Sequence, residues 1–458
     1  MSAHRRPKGP APSRAAQAPV GPPVGEVAIR MYNVGFGDAF LLTFPADDRP
    51  RRVLIDCGSH AAGPPPAGME AVVAQIIADV TEGGTPHIDV VVATHRHRDH
   101  VLGFASGSWA GVRVGQVWMP WTEDPLDPVA RRIRETQGRR GLQLQAALAA
   151  THLDAAVRER ARDIVENSLP NAEAMATLHG GFAGSPRRRY LPERKGHEGA
   201  FHHSFRPKLL PGVSVHVLGP SRDREVIRDM NPPPDESYLR AAAGGGKGER
   251  RTPFASQWAL SPAGADFRPW LREQAQRDTR TAPDAPLRPE DPSFVTRYVQ
   301  SLGLKESQVR AIDHASQDDP FAAAVALDQA VNGTSLMLVF EVGRARLLFP
   351  GDAQWGTWKA ALADARTREL LAGSSFYKVG HHGSHNATPL EFVEKVLQGP
   401  LLAMVSTCAT KRFTKIPRLP LLKALGAKAS GILRSDDAVV KAPFRRVGPN
   451  CVECRVGI

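Results

Sequence analysis

Cysteine is scarce in this chain, with only Cys57, Cys408, Cys451 and Cys454 in 458 residues. So few thiols exclude a disulfide-stapled scaffold at this length and suit a reducing compartment, so a cytoplasmic location is expected. Cys451 and Cys454 form a lone C-x-x-C. A zinc ribbon needs a second such pair, and the sequence lacks one. The alternation in CVECRVGI instead predicts a terminal strand carrying two incidental thiols. Long apolar runs are also missing: no stretch of eighteen or more apolar residues occurs, so no membrane span is expected. Residues 1–25 carry positive charge with no apolar stretch behind it and do not read as a secretory signal. Their Pro, Ala, Gly and Arg cannot bury enough surface to offset chain entropy, which predicts a disordered leader.

Acidic residues are in deficit, 47 Asp and Glu against 59 Lys and Arg, a formal charge of +12. Such an excess attracts polyanions, nucleic acid and phosphorylated substrates among them; an Arg-rich proteome produces the same balance. An apolar content of 42% supports a sizeable core, and large α/β folds with insertions reach this length as one unit.

Strand patterns open the ordered part. EVAIRMYNV half-alternates, AFLLTF is a short apolar run, and RRVLIDCG is apolar up to Asp-Cys-Gly. The glycines and aspartate of VGFGD mark a tight turn between the first two. GMEAVVAQIIADVTEGG predicts an amphipathic helix, IDVVVATH a strand buried on both faces, and VRVGQVWMP a further strand. From about 121 to 211 the pattern turns to charged helical stretches, LDPVARRIRETQ and LDAAVRERARDIVENS, followed by a basic loop, SPRRRYLPERKG. VSVHVLGP returns to strand character, and an irregular stretch runs from about 221 to 330 through AAAGGGKGERR. Segments of this kind inside a compact domain are insertions, lids or disordered loops. Strands and helices then alternate to the C-terminus. Residues 26–458 are therefore expected to form one domain with two insertions, built as two sheets packed face to face with helices outside.

The chemistry concentrates in Thr94-His95-Arg96-His97-Arg98-Asp99-His100, directly after IDVVVATH. Three imidazoles and a carboxylate within six positions at a strand end form a candidate metal site. In an extended segment His95 and His97 share a face, so both can reach one ion, while Asp99 and His100 lie past the turn and can reach a second. Nitrogen and carboxylate donors suit zinc, with manganese or iron as alternatives. Asp352, in LLFPGDAQW, is placed either to bridge two ions or to cap the helix beginning at QWGTWKAAL. His381 and His382, in YKVGHHGSH, follow a strand and a glycine. One of them completes the second ion's shell and the other serves as general acid or oxyanion donor; spacing does not say which. His385 reads as a supporting or surface residue. Asp56 either orients a ligand histidine or forms the turn before Cys57-Gly58.

THRHRDH resembles the H-x-H-x-D-H signature of the metallo-β-lactamase superfamily. NVGFGDAFLL, VNGTSLMLVFEV, LLFPGDA and YKVGHHGS are similar, more narrowly, to the hydrolase domain of ComEC-type competence proteins. These motifs cover roughly residues 26–120 and 330–458. The resemblance implies an α/β (α+β) fold of the αββα sandwich type, two divalent metal ions at the sheet edges, and hydrolysis by a metal-bridged hydroxide. It also places Asp38 near the site. Two departures stand out. Many superfamily members supply a further histidine ligand between the signature and the bridging aspartate, whereas His152, His179, His197, His202, His203, His216 and His314 all lie in weak contexts here. That leaves the first ion with His95, His97, Asp352 and water. The membrane channel of full-length ComEC proteins is also absent, so a DNA-uptake role does not transfer.

The expected activity is a metal-dependent hydrolase, with Asp99, His381 and His382 at its catalytic centre. Excess positive charge favours a phosphodiester or nucleic-acid substrate, and SPRRRYLPERK interleaves charge with an aromatic ring, which suits either single-stranded nucleic acid or a solvated insertion loop. An ester, lactone or thioester hydrolase on the same ions is the alternative within enzymes. A non-catalytic, metal-bound nucleic-acid-binding or regulatory protein is the alternative outside them.

Overall fold

The computed structural model describes residues 25–150, 155–169, 171–193, 203–238, 320–411 and 413–458. The expected leader, the AAAGGGKGERR stretch, and His152, His197, His202 and His314 lie outside these residues. Among the described residues the fold is a mixed α+β arrangement of two sheets with helices.

The first sheet contains β1 (Glu26–Tyr32), β2 (Phe40–Phe44), β3 (Arg51–Ile55), β4 (Thr81–Glu82), β5 (Thr85–Val92), β6 (Arg113–Pro120) and β7 (Arg187–Leu191). The C-terminal β15 (Arg445–Gly448) and β16 (Cys451–Gly457) complete it, in the order β15-β16-β1-β2-β3-β5-β6-β7 with β4 beside β5. The second contains β8 (His203–Phe205), β9 (Val213–Gly219), β10 (Met337–Val342), β11 (Ala345–Phe349), β12 (Phe376–Lys378), β13 (Leu401–Val405) and β14 (Ala429–Arg434). Its order is β14-β13-β12-β11-β10-β9-β8. Each sheet is antiparallel on one side and parallel on the other. β1, β2, β15 and β16 run antiparallel while β3, β5, β6 and β7 are parallel; β8 to β11 run antiparallel while β11 to β14 are parallel.

The period of two in the strand sequences decides the layering. Val27, Ile29 and Met31 of β1 share one apolar cluster with Leu338, Phe340 and Val342 of β10, so the inner faces of the sheets form a common core. Phe40 and Phe349 meet across it edge to face at 5.7 Å, and Trp118 stacks on Phe340 at 6.5 Å. The outer face of the first sheet packs on Val72, Val73 and Ile76 of α1 (Met69–Asp79). The second sheet's outer face meets Trp358 of Trp355–Ala363, Leu371 of Ala365–Ala372, and Leu421 and Leu425 of Leu419–Lys428. Burial of these large side chains contributes about 1.5–3 kcal/mol each before chain entropy is subtracted.

The charged stretch after Trp121 forms α2 (Pro128–Ala150) and α3 (Ala155–Ser168), and a helix α4 (Pro320–Asn332) joins them around Leu144, Leu148, Val165, Ala324 and Leu327. The basic loop expected at SPRRRYLPERKG is a strand over its described core: Arg187–Leu191 is β7, parallel to β6. Its side chains are used internally. Arg189 lies 3.9 Å over the Phe205 ring and bonds Glu193 at 2.7 Å, and Tyr190 meets His179 at 3.2 Å. The charge pattern misled because the parallel partner that makes the strand lies far away in sequence. CVECRVGI is the expected terminal strand, pairing with β1, and Cys451 and Cys454 are buried free thiols. No helix among the described residues is long and apolar enough to cross a membrane.

Candidate metal centre

Three loop clusters converge at one end of the two sheets. The signature follows β5, and its one-turn helix Arg98–Val101 carries Asp99 and His100. The turn between β1 and β2 and the end of β3 press directly against it. Asp38 N–H donates to the Asp99 carbonyl (2.9 Å), and Cys57 N–H to that of His100 (2.8 Å). Gly37 and Gly58 permit this approach: a Cβ on Gly37 would stand 2.7 Å from Asp99 O, and one on Gly58 would stand 2.4 Å from His100 N. From the second sheet come Asp352, past β11, and His381-His382, past β12.

Asp99, His100, Asp352 and His382 are all buried, and one donor atom of each lies within 4.8 Å of the others. His382 Nε2 is 3.1 Å from Asp99 Oδ2, and His100 Nε2 is 3.2 Å from Asp352 Oδ2. Beside them His95 Nε2 stands 3.0 Å from His97 Nδ1, with His95 Nε2 4.0 Å from Asp352 Oδ2. Two donors on one tetrahedral ion with bonds of about 2.0–2.1 Å stand roughly 3.3 Å apart, close to the 3.1, 3.2 and 3.0 Å separations and shorter than the 4.0 Å between His95 and Asp352. Asp352 Oδ2 faces both groups. It is not a helix cap, because Gln354 occupies that position ahead of Trp355–Ala363.

The supporting contacts fix ring orientation. Asp56 Oδ2 accepts from His100 Nδ1 (2.8 Å), which leaves Nε2 facing Asp352, and Asp56 also accepts from the Thr94 N–H and hydroxyl at 2.7 Å each. His382 Nδ1 donates to the Ser406 carbonyl (2.8 Å), which turns its Nε2 to Asp99. Both His381 (φ 45°) and His382 (φ 54°) adopt the left-handed region, as does Asp56 (φ 57°). Such backbone costs about 1–3 kcal/mol per residue and persists where its surroundings enforce it. The conformation separates the two histidines: His382 joins the cluster, while His381 keeps a partly exposed ring with Nε2 3.8 Å from Asp352 Oδ2. His385 stands outside the cluster and is held at about 4 by burial, then by Arg418 and His381.

Electrostatics divides the imidazoles. Burial, then His100 and His97, lowers His95 against the pull of Asp352 and Asp99, and burial holds His97 at about 3; His381 is lowered too, so all three carry free nitrogen lone pairs at neutral pH. For His100 and His382 burial also works against charge, but Asp352 and Asp56 outweigh it at the first, and Asp99 and Asp38 at the second, and both are raised. Asp99 and Asp352 are lowered despite burial, chiefly by His100. Burial raises Asp56 although His100 opposes it.

Lys378 of β12 had no signal in the sequence. Its buried ammonium pairs with Asp38 and lies 3.7 Å from Asp352 Oδ1. Burial disfavours its charge, yet Asp38 and Asp352 prevail and its pKa is raised. Asp38, Asp56 and His100 also cluster within 4.8 Å, but Lys378 already places a cation there. Asp328 on α4 was missed as well: its Oδ1 is 3.7 Å from His97 Nε2. Of the histidines between the signature and Asp352, none of the described ones reaches the cluster. His179 pairs with Tyr190, His203 packs on Phe205, and His216 bonds Glu341 across β9 and β10.

The donor set fits divalent cations. Asp99 Oδ1 and His381 Nδ1 are buried without a hydrogen-bond partner. Burial and then the charges of Asp99 and Asp352 push Asp328 up to about 8, a surplus of carboxylate that cations relieve. These buried His and Asp groups can therefore hold a metal ion. No protein-family model matches the chain, and no curated protein matches it.

Proposed function

We propose that the chain is a metal-dependent hydrolase with the αββα metallo-β-lactamase fold, related to the ComEC-type hydrolase domains, acting on a phosphodiester. One observation carries the reading: three segments separated in sequence bring Asp99 and His100, Asp352, and His382 into one buried cluster beside the His95–His97 pair. Burying these groups costs desolvation that their mutual pairing offsets in part, and a bound cation would offset more.

His95, His97 and Asp352 would hold one ion, and Asp99, His100, His382 and the shared Asp352 a second. Zinc suits nitrogen and carboxylate donors best. Such ions would lower the pKa of a bound water to about 7 and would draw electrons from a substrate oxygen. The chain's own residues supply the rest. Asp56 and the Ser406 carbonyl hold His100 and His382 in one ring orientation each. Lys378 offsets part of the carboxylate charge. His381, neutral at pH 7, can donate an Nε2–H hydrogen bond to a developing oxyanion.

The phosphodiester preference rests on the +12 charge and on one loop. Phe413 stacks on Phe36 at 4.9 Å, and Phe36 lies 4.2 Å from the His382 ring. Exposed Lys411 and Lys415 flank Phe413, which places positive charge beside the candidate centre. The test is cleavage of bis(p-nitrophenyl) phosphate and of single- and double-stranded DNA with zinc or manganese, comparing the protein with His97→Ala. Metal-dependent cleavage that the variant lacks is the expected result. A folded, metal-loaded protein that cleaves none of them overturns the substrate class.

A further inference from the structure

The signature loop is held from outside the two sheets. α2, α3 and α4 form a small helical cap with its own core, Leu144 and Leu148 from α2, Val165 from α3, and Ala324 and Leu327 from α4. Gln137 on α2 also donates to the Ala330 carbonyl of α4 (3.2 Å). The rim of this cap meets the loop residue by residue. Asn171, just past α3, donates to the Arg96 carbonyl (2.8 Å). Asn167 Oδ1 accepts from the Asp99 N–H (3.2 Å). The Ser168 hydroxyl and Asp328 Oδ1 both face His97 Nε2, at 3.3 and 3.7 Å.

That last contact occupies the far side of a ring whose near side is committed. His97 Nδ1 points to His95 Nε2 at 3.0 Å, so Nε2 is turned away from the pair and toward the cap. The two nitrogens of an imidazole point in nearly opposite directions, so a carboxylate on Nε2 cannot also sit on an ion bound at Nδ1. The Ser168 hydroxyl, which donates to the Ile164 carbonyl, is the direct acceptor for Nε2–H, and a negative charge on Asp328 at 3.7 Å favours the tautomer with its proton on Nε2, which leaves Nδ1 as the donor. Asp328 is itself steered: Leu327, one position earlier and about 100° round the helix, is anchored in the cap core, and Asn332 Nδ2 donates to Asp328 Oδ2 (3.2 Å).

We propose that the helical cap is the frame that positions the signature loop, and that Asp328 is the positioning residue that presents His97 Nδ1 to the first ion. The proposal rests on the metal-centre reading above. It gives the helices between the signature and the second half of the chain a task at the metal centre, and it assigns to a carboxylate on the cap a supporting role in a site to which none of the described histidines between the signature and Asp352 contributes.

The test measures zinc affinity by competition with a chromophoric chelator for the wild type, Asp328→Ala, Asp328→Asn and Ser168→Ala. Cobalt spectra and the His97 Nε2–H proton resonance of the zinc-loaded forms are recorded beside it. Asp328→Ala is expected to weaken one of the two ions about 10–100-fold, to alter the cobalt absorption and to lose the shielded Nε2–H resonance. Asp328→Asn keeps an acceptor oxygen and is expected to recover most of the affinity, to within about tenfold of the wild type. If Asp328→Ala does not fold, Asp328→Asn and Ser168→Ala decide the matter through the same resonance. A folded Asp328→Ala that binds both ions as the wild type does, with an unchanged cobalt spectrum, overturns the proposal while leaving the metal centre intact. A wild type that binds no ion overturns both.

Discussion

Lys378→Met removes the charge nearest to Asp38, whose other cationic neighbours, His100 and His382, stand farther off at 3.6 and 3.9 Å. The side chains of Lys378 and Asp38 are 3% and 2% exposed, and neither Asp38 oxygen has any other hydrogen bond. Taking away one member of such a pair leaves a buried carboxylate without its nearest cation, a cost of about 3–5 kcal/mol. Methionine fills a similar volume, so little of that cost comes from a cavity. Lys378 also stands 3.7 Å from Asp352, so its loss matters most when no cation faces that carboxylate. Urea unfolding of the metal-free protein is therefore expected to show a loss of about 3–5 kcal/mol, and the zinc-loaded protein a smaller one. Adding Asp38→Asn removes the stranded charge, and the double variant is expected to recover most of the stability, giving a coupling energy that only a direct interaction produces. A single variant within about 1 kcal/mol of the wild type, or a double variant no better than the single, refutes the reasoning.

Asp56→Asn presents an amide in place of the carboxylate oxygen that His100 Nδ1 uses; with donor facing donor the ring shifts its proton to Nε2, and zinc affinity is expected to fall about 10–100-fold by calorimetric titration. His381→Ala is expected to retain the wild-type metal content and lose cleavage by about 10²–10⁴-fold in kcat, whereas His382→Ala loses an ion, as elemental analysis beside kinetics would show. The metal-free protein is expected to be most stable near pH 6.5. His97, at about 3, and His385, at about 4, sit below the ordinary 6.5, so their contribution is full above that pH and is lost as pH falls toward their folded values. His100 and His382 are raised, so theirs is full below 6.5 and is lost as pH rises through their folded values. Urea midpoints in a chelator across this range check the maximum, and a steady rise with pH contradicts it.

What the sequence revealed was the part of the site made locally. Four donors within six residues at a strand end need no partner to be noticed, and Asp352 stands out because a glycine and an apolar strand precede it. The choice between His381 and His382 was invisible because two consecutive left-handed residues, a backbone matter, turn one ring inward and leave the other at the edge. Lys378 and Asp328 were missed for a different reason. In FYKVG Lys378 reads as an ordinary strand residue, and Asp328 falls in the stretch read as irregular; only contacts hundreds of positions away give them a task. Length and period sufficed for most strands, whereas β7 was hidden by its arginines, since β6 rather than its own pattern makes it a strand.

The central claim is a two-ion centre shared by Asp352. Its most direct test is the number of zinc ions bound at saturation, by elemental analysis and titration, in the wild type and in Asp352→Asn. Two ions per chain in the wild type, with both weakened by the one substitution, is the predicted result. One ion, or two that Asp352→Asn leaves untouched, would contradict it.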